Sequence, residues 1–262
     1  MTLLDTHART GFVSRINPVA KLGAAFLVAI PLVFTIDVVS AATALVLEAL
    51  LLPFAGLGWR EFWLRTWPVW IAAPLTALTI ALYGEQSGTA YVDWLLVHVS
   101  SGSLQLALAT MFRVLAMALP SVVLFATVDP TDLADGLGQV LRLPSRFVMG
   151  GLAGLRMVGL FLDDWRALEL ARRARGVADR GRLRRFLGMA FALLVLSLRR
   201  GSKLATAMEA RGFGAPGART WARRSRFGGC EWMLLALGAA IAAIAVGAAV
   251  AAGTWNFILG PG

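Results

Sequence analysis

The sequence predicts an all-α integral membrane protein with about five transmembrane helices and one long basic segment held in the cytoplasm. Three observations lead there. Hydrophobic residues make up 58% of the 262 residues and charged ones only 15%. With a mean hydropathy of +0.71, that balance is foreign to soluble domains of this size. Five apolar runs come close to the ~20 residues that a helix needs to cross a ~30 Å hydrocarbon core. The basic residues, finally, lie almost entirely on one side of those runs.

The first span is expected at 19–36. Arg9, Arg15 and Lys21 precede or open it. The small residues Ser40–Ala44 would make a cleavage site that comes late, so the segment reads as a retained span and not a signal peptide. The second, third and fourth spans are expected at 38–56, 66–83 and 104–127, and the fifth at 232–252. Pro31, Pro68, Pro74 and Pro120 fall inside spans, where neighbouring helices can satisfy the freed backbone groups. Trp59, Trp63, Trp67 and Trp70 recur at helical spacing around the start of the third span, as an aromatic interface anchor does.

Orientation follows from the basic residues. The segments 37–38, 84–103 and 253–262 contain no Lys or Arg, whereas 19 of the 25 basic residues fall between 129 and 226. The N-terminus and the 129–226 segment are therefore expected in the cytoplasm and the C-terminus outside. Two shorter runs, 147–162 and 186–198, are expected in the cytoplasm or at the membrane interface and not across the membrane. Spanning with both would carry Arg166, Arg172, Arg173, Arg175, Arg180, Arg182, Arg184 and Arg185 to the outer face. Glu48 and Arg113 sit near the middle of the second and fourth spans, and charges at that depth usually pair inside the bundle. An intramembrane ion pair is expected between them.

The cytoplasmic segment opens Val128-Asp129-Pro130-Thr131-Asp132. Asp129 suits an N-cap and Pro130 the first helical position, so a short helix is expected to about Leu141. Pro144 opens a second helix that can run to Arg175, and a third runs from about Leu183 to Arg211. The two long helices close alike: Ala171-Arg172-Arg173-Ala174-Arg175-Gly176-Val177 and Ala207-Met208-Glu209-Ala210-Arg211-Gly212-Phe213. Glycine after the last helical residue supplies a left-handed turn, and arginine in the last turn complements the helix dipole. One copy is simply a well-made helix end. Two copies on one membrane face point to a paired docking device, because a guanidinium fork can take a carboxylate in two hydrogen bonds.

Several classes are excluded. The single cysteine, Cys230, rules out an intrachain disulfide, and His7 and His98 are far apart, so no histidine or cysteine metal site is expected. No Gly-x-x-x-x-Gly-Lys-Ser/Thr stretch occurs, so the chain should not hold ATP on a P-loop. The basic charge sits where anionic lipid headgroups would meet it, through Arg180, Arg182, Arg184 and Arg185, and nucleic acid is not expected.

The 129–228 segment resembles the coupling domain of the T component of energy-coupling factor (ECF-type ABC) transporters, the EcfT/CbiQ-like family. Ala174-Arg175-Gly176 and Ala210-Arg211-Gly212 match that family's two Ala-Arg-Gly motifs. Asn17-Pro18-Val19-Ala20-Lys21-Leu22 resembles the start of its first span, and Asp129-Pro130-Thr131-Asp132-Leu133 the start of its first coupling helix. The resemblance implies two long crossed cytoplasmic helices whose arginines each insert into a groove on one ABC-type ATPase subunit. It implies a non-catalytic chain with no cofactor or metal of its own, ATP and Mg being bound by two ATPase partners. A substrate-binding membrane (S) subunit would carry the vitamin or transition-metal ion, such as cobalt or nickel, across a bacterial or archaeal cytoplasmic membrane. The expected division is a four-span membrane domain at 1–128, coupling helices at 129–228 and a last span at 229–262. Two rival functions compete with this reading. A conventional ABC importer permease normally has one such coupling element. A metal-dependent membrane transferase would use Asp129, Asp132 and Asp135, or Asp163, Asp164 and Glu169. The first trio is better explained by helix capping, Glu169 is spaced to pair with Arg173, and no Asp-Asp-x-x-Asp occurs.

Overall fold

A computed structural model of the protein describes residues 13–56, 58–84, 89–94, 97–176, 181–213, 221 and 223–255. His7, Arg9, Val177 and Arg180, named above, lie outside the described residues. The chain is built of helices α1 (Pro18–Phe34), α2 (Val38–Leu51), α3 (Trp59–Tyr83), α4 (Ser101–Phe125), α5 (Pro130–Gln139), α6 (Ser145–Ala174), α7 (Arg182–Ala210) and α8 (Gly229–Ala251), with a hairpin of β1 (Ala90–Trp94) and β2 (Val97–Ser100) between α3 and α4. It divides into two compact units: Ala134–Ser225, and the described parts of His7–Leu133 and Arg226–Gly262.

The second unit is a bundle of α1, α2, α3, α4 and α8. Its caps explain where the helices begin. Asn17 accepts from Val19 N at 3.0 Å ahead of α1, and Asp37 accepts from Ser40 N at 2.8 Å ahead of α2. Ser100 and Ser103 close a capping box on α4, so that in each case a side chain takes a donor the first turn leaves open. Val28 and Leu32 of α1, Ala44 of α2, Ala116 of α4 and Ile241 and Ala245 of α8 form one buried cluster. Ala73 of α3 packs with Leu115 and Leu119 of α4 in another. Small residues bring α1 and α8 close. A methyl group added at Gly238 would lie 3.0 Å from the Ala24 carbonyl oxygen, so glycine there sets the approach of the two backbones.

Among the described residues, four helices, α3, α4, α6 and α8, are long and apolar enough to cross a membrane, while α1 and α2 are apolar but shorter. The expected spans all begin or end differently by a few residues. The largest change is in α3, which starts at Trp59, because the charged turn Arg60–Glu61 belongs to the helix although it is too polar for the apolar core. By length and composition α6 qualifies as a span as well, where the sequence had only a short run at 147–162. The segment 84–103, expected to be a loop, contains the hairpin. Its strands pair antiparallel, with Val92 opposite Val99 and Trp94 opposite Val97, and a bulge between Ala90 and Val92.

In the first unit α6 and α7 are 30 and 29 residues long. They cross where their side chains meet. Trp165 and Phe186 have ring centroids 5.6 Å apart, and Asp164 takes the Arg200 guanidinium on both its oxygens. Arg185 reaches Glu169 at 2.5 Å. Arg172 covers Gly188, at which an added methyl would lie 3.1 Å from the Arg172 guanidinium. Among the described residues, only Ala134, Val148 and Met189 are buried hydrophobics in this unit.

Candidate functional site

The two Ala-Arg-Gly motifs take the same backbone shape. Arg175 closes α6 at φ −87°, ψ 3°, and Arg211 closes α7 at φ −89°, ψ 9°. Gly176 and Gly212 follow at φ +67° and +72°, in the left-handed region that an L side chain adopts only with strain. At the end of α7 the Gly212 N–H donates to Glu209 O at 2.9 Å and the Phe213 N–H to Met208 O at 2.9 Å. That is the hydrogen-bond pattern of a Schellman turn. At the end of α6 the Gly176 N–H donates to Arg173 O at 3.0 Å, the equivalent of the first of these bonds.

Both motifs are exposed throughout, from Ala174 to Gly176 and from Ala210 to Gly212. Among the described residues neither Arg175 nor Arg211 has a carboxylate partner. Their neighbours differ in this: Arg173 pairs with Glu169 at 2.8 Å, as the i,i+4 spacing predicts, and Arg172 lies on Gly188. The tips are also far apart. Arg172 holds the end of α6 against α7 at Gly188, and Arg211 follows Gly188 by 23 residues, ~35 Å of helix at 1.5 Å per residue. A single acceptor cannot serve both.

The Glu48–Arg113 ion pair is not made. Glu48 is 5% exposed and lines an apolar cavity of about 240 Å³ with Val28, Leu51, Pro120, Leu237 and Ile241. Neither of its carboxyl oxygens has a hydrogen-bond partner among the described residues. Arg113 instead donates to the Val33 carbonyl in the last turn of α1. The reason is physical: the last carbonyls of a helix are unsatisfied and lie at the negative end of its dipole, so they compete for a cation as a carboxylate would.

The acidic clusters weighed for a metal have other roles. Asp129 caps α5, accepting from Thr131 N at 2.7 Å, while Asp164 and Glu169 are taken by arginines of α7. No periodicity in the sequence reports those cross-helix pairs. The tryptophans of α3 are exposed, from 39% at Trp70 to 76% at Trp59, and Trp59 and Trp63 meet edge to face with centroids 5.8 Å apart.

Residues 10–221 match the model of the CbiQ family, described as a cobalt transport protein. The chain belongs to this family. Its members include the transmembrane components of energy-coupling factor transporters. The chain is 30% identical to the energy-coupling factor transporter transmembrane protein EcfT of Limosilactobacillus fermentum, over 68% of this chain and 72% of that one. It is 27% identical to the EcfT protein of Bacillus selenitireducens over 86% and 88% of the two chains. The figure is 26% for that of Streptococcus equi, over 79% and 81%. Against this background the CbiQ/EcfT-type chain is a multi-pass membrane transport component, and the family match covers both Ala-Arg-Gly helix ends.

Proposed function

We propose that this chain couples two ABC-type ATPase subunits to a substrate-binding membrane subunit, for uptake of a vitamin or a transition-metal ion. Arg175 and Arg211 would each enter a groove on one ATPase and pair with an acidic side chain there, and ATP and Mg would be held by those partners. The observation that carries this reading is the pair of exposed arginines, without a carboxylate partner among the described residues, on matching glycine-closed helix ends. A helix end needs glycine to turn; it does not need an exposed arginine at the same place twice.

The faces of α6 and α7 supply the second partner. Leu183, Leu187, Phe191, Leu194 and Leu198 form one stripe of α7 at spacings of three and four, and all are at least half exposed. Phe147, Leu155 and Val158 of α6 are likewise at least half exposed. So much apolar surface calls for a protein or lipid contact, and the substrate-binding subunit fits it. The basic residues of 129–226 favour a cytoplasmic place for these helices, α6 included, with the N-terminus inside and the C-terminus outside. The cobalt transport named for the family favours a metal cargo, and the vitamin alternative stays within the same coupling role.

The test is the Arg175→Ala, Arg211→Ala double variant, purified from mild detergent beside the unaltered chain. Loss of the co-purifying ATPases, with the substrate-binding subunit retained, supports the assignment. Full retention of the ATPases by the double variant refutes it.

A further inference from the structure

The chain leaves the membrane bundle after α4 and returns to it ahead of α8, and polar side chains hold both passages. At the first, the last carbonyls of α4 have no partner within the helix. Arg65 of α3 donates to Ala126 O at 2.9 Å. Lys21 of α1 donates to Thr127 O at 3.3 Å and to the Thr127 hydroxyl at 2.8 Å. The Asp132 carboxylate in the first turn of α5 also attracts the Lys21 ammonium. At the second passage, Glu231 in the first turn of α8 accepts from Gly228 N at 2.8 Å and from Asn17 N at 3.2 Å. The Asn17 side-chain amide donates to Arg226 O at 3.0 Å.

Asn17 and Lys21 are one helical turn apart at the start of α1, so a single turn grips both passages. All three side chains are buried: Asn17 is 7% exposed, Lys21 1% and Glu231 9%. Burying an ammonium group whose direct hydrogen bonds are to the neutral oxygens of Thr127 is costly, and a bundle that needed only packing would be served by leucine or methionine at position 21. Besides the caps that Asn17 and Glu231 make on their own helices, each of the three side chains bonds backbone elsewhere in the chain, at the two points where it leaves and re-enters the bundle.

We infer that Asn17, Lys21 and Glu231 are positioning residues for transport, forming a clamp that fixes both passages to the first turn of α1. The inference rests on the coupling role proposed above. A lever delivers work only through a junction stiffer than its load; with the passages free to bend, motion of α6 and α7 would be absorbed there. The clamp ties both ends of the segment that carries the arms to α1, so that a load on that segment is passed on and not lost in bending.

The test uses the whole complex with its ATPases in lipid nanodiscs. Spin labels are placed by Ser202→Cys on α7 and Thr254→Cys beyond α8, in a Cys230→Ser background. The readouts are ATPase retention, ATP hydrolysis and the change in label distance between the ADP state and the ATP–vanadate state. Lys21→Met, Thr127→Val and Glu231→Gln are each expected to keep the ATPases bound and hydrolysis within about twofold of the unaltered complex. The nucleotide-driven change in distance should fall by at least half in Lys21→Met and Glu231→Gln, and Lys21→Arg should restore part of it. An undiminished change in Lys21→Met overturns the clamp. So does failure of all three variants to assemble, which would make the residues scaffold only. A parent complex with no bound ATPase, or with no distance change, instead sinks the coupling role itself.

Discussion

Substituting alanine for Gly212 isolates the contribution of the helix-end shape from that of the arginine. Gly212 sits at φ +72°, and a methyl group added there meets nothing within 4 Å. The cost is therefore backbone strain alone, ~1–2 kcal/mol for an L-residue in the left-handed region. The chain can escape it by unwinding the last turn, which gives up the bonds from Gly212 N and Phe213 N to Glu209 O and Met208 O. Docking would then have to rebuild that turn, so the strain reappears as lost affinity, ~5- to 30-fold in Kd. Asparagine, which tolerates this region better, should fall between glycine and alanine. Gly201 provides the control. It is exposed in the middle of α7 with open space around an added methyl, and alanine there favours the helix by ~1 kcal/mol without touching the tip. The assay is equilibrium binding of the partner ATPase to each variant in nanodiscs, with amide exchange followed over residues 208–213. The reasoning is refuted if Gly212→Ala binds as the parent does and its exchange is unchanged.

Three further outcomes are expected. Asp164→Asn should weaken the α6–α7 crossing by about 1 kcal/mol, since the pair it breaks with Arg200 is partly exposed and screened. A double-mutant cycle with Arg200→Met, read by protease susceptibility of the arms, checks it, and additivity of the two changes would show that the pair contributes nothing. Gly238→Ala forces a methyl to 3.0 Å from backbone at Ala24. It should cost ~1–3 kcal/mol by overpacking, seen as a lower unfolding temperature in detergent, and an unchanged temperature would mean that α1 and α8 separate freely. Glu48→Leu removes a buried carboxyl that has no hydrogen-bond partner among the described residues and should leave the unfolding temperature equal or higher. Arg113→Met loses the bond to Val33 O and should lower it, and exchanging the two charges should give no rescue.

What the sequence made legible follows the range of the forces involved. The helix positions could be read because hydropathy and caps are local: Asp129 announces α5, and the glycines at 176 and 212 announce the ends of α6 and α7. The start of α3 was hidden because Arg60, Glu61 and Arg65 interrupt the apolar run, although a helix tolerates charge where it leaves the hydrocarbon. The hairpin is hard to tell from a loop because its strands are five and four residues long, and alternation over so few residues is a weak signal. The site divides in the same way. The two arginine-tipped ends are visible as a repeat, yet the pairing of Asp164 with Arg200 depends on where two helices cross. The expected Glu48–Arg113 pair failed because a sequence shows charges but not the unsatisfied carbonyls that compete for them.

The matched dihedrals of the two tips carry a consequence for assembly. The tips share no other surroundings: one is tied to a neighbouring helix at Gly188, and the other ends a helix ~35 Å farther on. Two ATPases working as a pair would offer two similar grooves, while a single coupling chain has no twofold symmetry with which to meet them. Repeating one local motif solves that mismatch, because a glycine-closed turn fixes the arginine relative to its own helix axis whatever the rest of the chain does. On the proposed coupling role, specificity would reside in a short segment whose shape is set by hydrogen bonds spanning five residues. The long helices behind it are left free to differ in sequence, in packing and in the load that they carry.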